Sequence, residues 1–298
     1  MSIAAILGSI ELGLIYSVLA LGVFLSFRTL NTPDLTVDGS IVTGAACSAM
    51  ICSMGGNPIF ALLVSFIAGC AAGTITALLN TKLKIQPLLA GILVMLGLYS
   101  INLRIMGGRP NIALIKSETI YKSFKLIFPY KYSSLVLGAI ILIIITVLFY
   151  FFLKTRLGFA LRATGDNEEM VRASGINSDN MRIMGLGISN GFVALSGGML
   201  AQYQSLSDIS MGVGMVVIGL ASVIIGEVIF GISSLKRRLI AVSLGAILYR
   251  IVISLALYLG MPASDLKLVS AIIVTIALST GILGEKFSLR RKAGVKNA

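Results

Sequence analysis

Apolar runs of roughly membrane-spanning length recur along the whole chain, separated by short breaks rich in polar residues, Gly or Pro. They cover 3–27, 39–54, 58–79, 87–106, 133–153, 182–203, 212–231, 239–259 and 266–284. Hydrocarbon gives backbone amides no hydrogen-bond partner, so each run is expected to be helical. The pattern predicts an all-α, polytopic membrane helical bundle of about nine hydrophobic segments. Two runs differ from the rest. Segment 39–54 is short and follows the turn signal Asn31-Thr32-Pro33-Asp34; segment 212–231 holds Gly212, Gly214, Gly219 and Gly226 and runs into Glu227. Both are expected to be discontinuous or re-entrant, which is tolerated only where protein or a watery cavity covers the backbone.

Composition strengthens this picture. Of 298 residues 57% are hydrophobic and only 12% charged, with mean hydropathy +0.98. A water-soluble fold of this size needs a far more polar exterior. The chain reads as one integral membrane domain, 1–298. Its first run is too long for a signal-peptide core and has no basic flank before it, so it is expected to be a retained helix. The absence of His removes His-based triads, haem ligation and the usual zinc sites. Cys47, Cys52 and Cys70 match no metal spacing and are expected to pack as small hydrophobes.

The net charge of +12 is accounted for by basic residues that flank spans, so nucleic acid is not an expected partner. With the C-terminus inside, the inner segments carry Arg28, Lys82, Lys84, five basic residues in 154–182, Lys236, Arg237, Arg238 and five in the tail 285–298. The outer segments carry seven, five of them in the loop 107–132. This bias predicts a cytoplasmic C-terminus and, with nine crossings, an external N-terminus. Gly69/Gly73 and Gly187/Gly191 form two GxxxG pairs suited to close helix contact. Arg250 falls mid-span and needs an interior partner; Glu11 matches it by depth, and Glu227 is the alternative.

One stretch breaks the apolar pattern. Lys154 to Arg182 reads KTRLGFALRATGDNEEMVRASGINSDNMR and holds nine charged side chains. It must lie at a membrane surface. Asp166 is read as an N-cap, with Glu169 three residues on as a capping-box partner and Glu168 beside it in the first turn. Gly175 supplies the left-handed residue that ends a helix. A helix over 166–175 is therefore expected, too short to stand alone. Met170, Val171 and Ala173 are expected to form its apolar contact, with Glu168, Glu169 and Arg172 at the rim.

The pattern TRxGxxxRAxGxNxxxxxxxGIN resembles the cytoplasmic coupling loop of ABC importer permeases of the branched-chain amino-acid and ribose type. Thr155, Arg156, Gly158, Arg162, Ala163, Asn167, Gly175, Ile176 and Asn177 stand at matching positions. The likeness extends to Leu30–Ser40, to Ser196-Gly197-Gly198 and to Thr280–Gly284. It is nearest to the branch that works with lipoprotein receptors for tryptophan-like amino acids. The resemblance implies that 166–175 fits a groove on a separate ATPase subunit, which binds the ATP, so that this chain binds no cofactor and is not itself an enzyme. It also implies an extracytoplasmic solute-binding protein on the outer loops and a second permease copy or paralogue. The setting would be a bacterial cell membrane, with the lipid bilayer around the bundle. No GxxxxGK[ST] occurs in the chain. The competing reading, a stand-alone ion-coupled transporter, would have to use Glu11, Glu227 and Arg250 as its midplane charges.

Overall fold

The computed structural model describes residues 3–262 apart from 129 and 131, together with 265, 268–272 and 275. Its helices are α1 (Ile3–Val23, continued by a π-helical turn Phe24–Thr29), α2 (Thr36–Ser53), α3 (Pro58–Thr81), α4 (Pro87–Ile105), α5 (Ile120–Ile127), α6 (Ser133–Lys154), α7 (Arg156–Asp166), α8 (Glu168–Ala173), α9 (Ser178–Gln204), α10 (Met215–Phe230) and α11 (Leu235–Tyr258). Among the described residues eight helical stretches are long and apolar enough to cross a membrane: α1 with its π-turn, α2, α3, α4, α6, α9, α10 with the 3-10 turn before it, and α11. They correspond to the first eight apolar runs. The ninth run falls largely outside the described residues, as do the Thr280–Gly284 turn and the basic tail.

The ends of α1, α3, α6 and α10 lie on the face that carries α7 and α8. On the opposite face a short antiparallel pair, β1 (Asn111–Ala113) with β2 (Leu206–Asp208), ties the long loop after α4 to the end of α9. The sequence pattern held no strand there. Thr119 caps α5 in the same loop, and the Lys122 ammonium donates to the carbonyls of Leu114, Ile115 and Ser117 at 2.8–3.0 Å. That cation, counted above among the outer charges, thus closes its own loop.

Segment 39–54 is not discontinuous. α2 is an unbroken helix whose polar residues Thr36, Ser40, Thr43 and Ser48 are buried against its neighbours. Its modest apolar content reflects a helix wrapped by protein rather than lipid. The irregular backbone precedes it. Residues 30–35 rise into the bundle: Leu30 lies beside Gly185 and Asp34 meets Asn190, which is about 18 Å along α9 from Ser178. There Asp34 accepts from the Thr36 amide (2.8 Å) and the Asn190 side-chain amide (2.6 Å), and Asn190 accepts from Ser40 (2.7 Å).

The second irregular segment, 212–231, does contain a break, at its very start, ahead of a continuous α10. A 3-10 turn (Ile209–Gly212) leads to Gly214, whose φ of +86° suits a residue without Cβ, and only then does α10 begin. Asp38 of α2 supplies the missing cap, accepting from the amides of Gly214 (2.9 Å) and Val216 (2.8 Å). A carboxylate at that end also complements the helix dipole.

The two GxxxG pairs meet each other. A Cβ on Gly69 would lie 2.3 Å from the Asn190 carbonyl oxygen, one on Gly73 2.2 Å from that of Leu186, and one on Gly191 2.5 Å from the Cys70 sulfur. α3 and α9 therefore pack backbone to backbone. Cys47, Cys52 and Cys70 are free thiols, Cys52 buried and the others half-buried.

Neither expected partner of Arg250 pairs with it among the described residues. Its guanidinium sits 4.8 Å from the centre of the Tyr16 ring, a cation–π contact. Glu11 accepts from the Tyr203 hydroxyl (2.7 Å). Glu227, buried at the end of α10, binds Arg28 (2.6 Å) and Arg238 (2.9 Å) instead. The π-turn and the first turns of α11 bring those two arginines to one end of the bundle, where depth along separate spans had pointed elsewhere.

Two outcomes test this packing. Gly69→Ala should lower stability by about 1–3 kcal/mol through overpacking. Gly97→Ala, at an exposed position where a Cβ meets nothing within 4 Å, should be neutral or gain about 1 kcal/mol. Thermal unfolding of the two purified variants checks this; equal midpoints would mean that α3 and α9 are not in backbone contact. Glu227→Gln should cost about 1–3 kcal/mol, a buried-pair figure reduced because Arg28 is half exposed, read as lower folded yield and a lower melting temperature.

Candidate functional site

The polar stretch 154–182 folds into two helices where one was expected. Thr155 ends α6 and caps α7: its hydroxyl donates to the Phe152 carbonyl (2.7 Å) and accepts from the Gly158 amide (3.2 Å). A Cβ on Gly158 would lie 2.3 Å from the Phe152 carbonyl oxygen, so the tight corner between α6 and α7 needs glycine there. Gly158, Ala160, Leu161 and Thr164 form the buried stripe of α7, while Leu157 and Phe159 are exposed. The i, i+3 and i+4 spacing of those four small or apolar residues was the available signal for this missed helix. At its far end α7 presses on α1: a Cβ on Gly165 would lie 1.9 Å from the Thr29 carbonyl oxygen.

Asp166 is not the cap of the short helix. It is the last residue of α7 and is exposed, and Asn167 takes the capping role, accepting from the Met170 amide (3.0 Å). Extension of α7 through residue 166 leaves the extended conformation that a cap requires to the next residue. α8 then spans six residues, and Gly175, at φ +79°, ends the turn as expected. Asn177 caps α9 by accepting from the Asn180 amide (3.2 Å).

The expected apolar contact divides in two. Val171 is 2% exposed and faces the bundle, whereas Met170 is 58% exposed and Glu169, Ala173 and Ile176 are also open. One residue is a 100° rotation on a helix, so Val171 and Met170 cannot share a face. Glu168 and Arg172 are likewise not free rim charges. Glu168 binds Arg182 and Arg172 (2.8 Å) and accepts from Ser178 (3.0 Å), and Arg172 reaches Asp179 (3.0 Å). This network fastens α8 to the start of α9. What remains outward is Glu169, Met170, Ala173 and one edge of Arg172.

Two clefts flank this element. One, of about 460 Å³, lies between α8, the start of α9 and the α3–α4 turn, and includes Lys84, Gln86, Glu169, Arg172 and Arg182. The other, of about 240 Å³, lies between α7, the π-turn and the α10–α11 turn, and includes Arg28, Arg162, Asp166, Ser233 and Arg238. Arg162 thus faces the second cleft, away from the outward side of α8. Glu11, Glu227 and Arg250 do not form one cluster: Glu227 belongs to the α7–α8 end, whereas Glu11 and Arg250 lie nearer the other, both within electrostatic reach of the Tyr203 hydroxyl but not paired with each other among the described residues. Among the described residues no group of three or more His, Cys, Asp or Glu could hold a metal ion. The arrangement leaves α8 as an exposed, internally braced helix at this face.

Residues 5–278 match the model of the family described as branched-chain amino acid transport system / permease component. The tyrosine transport system permease protein of Clostridioides difficile (strain R20291) is 43% identical, covering 91% of this chain and 89% of its own length. The ribose import permease protein RbsC of Escherichia coli (strain K12) is 24% identical over 88% of this chain and 80% of its own. The probable branched-chain amino acid transport permease protein LivH of Methanocaldococcus jannaschii is 27% identical over 84% of this chain and 88% of its own. No solved structure matches. With a multi-pass helical bundle, a family match over nearly the whole chain and a relative at 43% identity, this protein belongs to the permease-component family of branched-chain amino-acid transport systems.

Proposed function

We propose that this chain is the transmembrane subunit of an ATP-driven importer, forming with a second copy or a paralogue the pathway for an amino acid. The observation that carries the docking assignment is α8: a capped helix at the membrane surface with Glu169, Met170 and Ala173 outward and Val171 and Glu168 holding it from behind. A surface so braced can take a load from a partner without unfolding. The partner is a cytoplasmic ATPase subunit that hydrolyses ATP, and closure of an ATPase pair moves α7–α8 and reorients the pathway. The α7–α8 face is cytoplasmic, as the charge bias indicates. The solute is an amino acid, tyrosine or a close analogue, a reading supported by the 43% identical relative named for tyrosine transport. It is delivered by an external binding protein that docks on the opposite face, where the loop 107–132 stands.

Glu169→Lys combined with Met170→Asp should abolish co-purification with the ATPase and reduce uptake to background while leaving folded yield unchanged, because neither side chain holds the loop together. Persistence of both association and uptake would remove α8 as the docking element. Val171→Ser should instead lower folded stability by about 1–3 kcal/mol, read by thermal unfolding. The purified chain alone, in vesicles with an ion gradient and no ATPase, should show no uptake; uptake there would revive the stand-alone transporter.

A further inference from the structure

Two cavities meet at Ser234, on the turn between α10 and α11, and they differ in kind. The 240 Å³ cleft described above is polar, with Arg28, Arg162 and Arg238 around it against the single acid Asp166, and Ser233 and Ser234 also lining it. Arg28 and Arg238 share Glu227 as their acceptor, whereas the Arg162 Nε is enclosed and has no acceptor among the described residues. The second cavity, about 420 Å³, is a groove between α10 and α11 lined by Ile229, Phe230, Ile240 and Leu244, with Lys236 and Arg237 at its rim. Ile229 and Ile240 are more than half exposed along it.

Depth fixes what can reach this pair. The polar cleft is bounded by the ends of three spans, at Thr29, Phe230 and Leu235, so it sits at the level of the membrane surface. The groove begins at the same turn and follows α11 two to three turns into the membrane, through Ile240 to Leu244. An arginine-lined recess at the interface, joined to an apolar trough that runs toward the hydrocarbon, matches an anionic head with an acyl tail. An acidic side chain of a docked protein would engage the recess but has no use for the trough. Free phosphate has none either.

We propose that this pair of cavities is a binding site for one anionic phospholipid of the leaflet at the α7–α8 face, its phosphate in the Arg162 cleft and an acyl chain in the Ile240–Leu244 groove. The lipid bridges α7, which carries Arg162 and Asp166, to the α10–α11 turn. The inference takes nothing from the proposed solute or from the ATPase docking assignment. Its failure would leave both standing.

The test uses the purified full-length permease in detergent, with native mass spectrometry counting retained lipid after mixing with phosphatidylglycerol or phosphatidylcholine. Phosphatidylglycerol should be retained about tenfold more strongly, and Arg162→Gln with Lys236→Gln should erase that preference, since two charges at about fivefold each exceed it. Leu244→Trp, which fills the groove, should lower retention of phosphatidylglycerol while leaving all the basic groups in place; it separates loss of the site from misfolding of the charge variant. Equal retention of the two lipids by the wild type, or undiminished phosphatidylglycerol retention by all three substitutions combined, would overturn the proposal. Displacement of phosphatidylglycerol by millimolar inorganic phosphate would overturn it in favour of a free-anion site. Displacement by the purified ATPase would do so in favour of a protein contact.

Discussion

Asp34 and Asn190 solve the problem that most constrains this architecture. Residues 30–35 run in non-helical geometry from the end of the first span up into the bundle, where an unpaired amide or carbonyl would cost several kcal/mol. The Asp34 carboxylate takes the Thr36 amide and the Asn190 side chain, and Asn190 takes Ser40, so the start of α2 is bound to α9. Thr36 also shares a hydrogen bond with Thr76 of α3 (2.7 Å). With that junction satisfied, α2 can run through the middle of the bundle carrying polar side chains that lipid would not accept. The backbone-to-backbone contact of α3 with α9 depends on the same residue, since Gly69 and Gly73 lie against Asn190 and its preceding turn.

α10 follows from α2. Its N-terminus begins inside the bundle, after a break, and Asp38 closes it from the side by accepting hydrogen bonds from two backbone amides. Its C-terminus carries Glu227, an acid at the end where the helix dipole disfavours negative charge. Arg28 from the π-turn and Arg238 from α11 offset that. The helix is thus pinned at both ends by carboxylates, one borrowed from α2 and one its own. These contacts link α1, α2, α10 and α11 near their ends, and Arg250, deeper in α11, rests on the Tyr16 ring.

Much of this was legible in the sequence for identifiable reasons. Eight runs of apolar residues became eight helical stretches, because the rule that lipid leaves no backbone unpaired admits few alternatives. The GxxxG pairs gave close contact, and the Gly-rich run before Glu227 gave a broken helix. Failures arose where partners distant in sequence decide the outcome. Asp166 and Asn167 are both good caps locally, and the continuation of α7 chose between them. α2 looked deficient as a span because its apolar count assumes a lipid environment. The partners of Glu227 depended on a π-turn, whose extra residue per turn rotates Arg28 in a way that no apolar periodicity records. In the stretch 154–182 the short helix, its Gly175 stop and its surface position were readable. Its division into an inward face at Val171 and an outward one at Met170 was not, because 166–175 was read as one unit without a fixed rotation.

Gly165 gives the assembly a mechanical property. With no side chain between α7 and the Thr29 carbonyl, the two backbones touch, and that joint contains nothing compressible. Thr29 closes the same short turn that places Arg28 on Glu227, and Glu227 lies in the last turn of α10. A displacement of α7 therefore has no soft layer in which to dissipate before it reaches two of the spanning helices. The stretch 154–182 is thus backed by a stiff joint, and a load placed on α7 would be felt at the ends of α1 and α10 together.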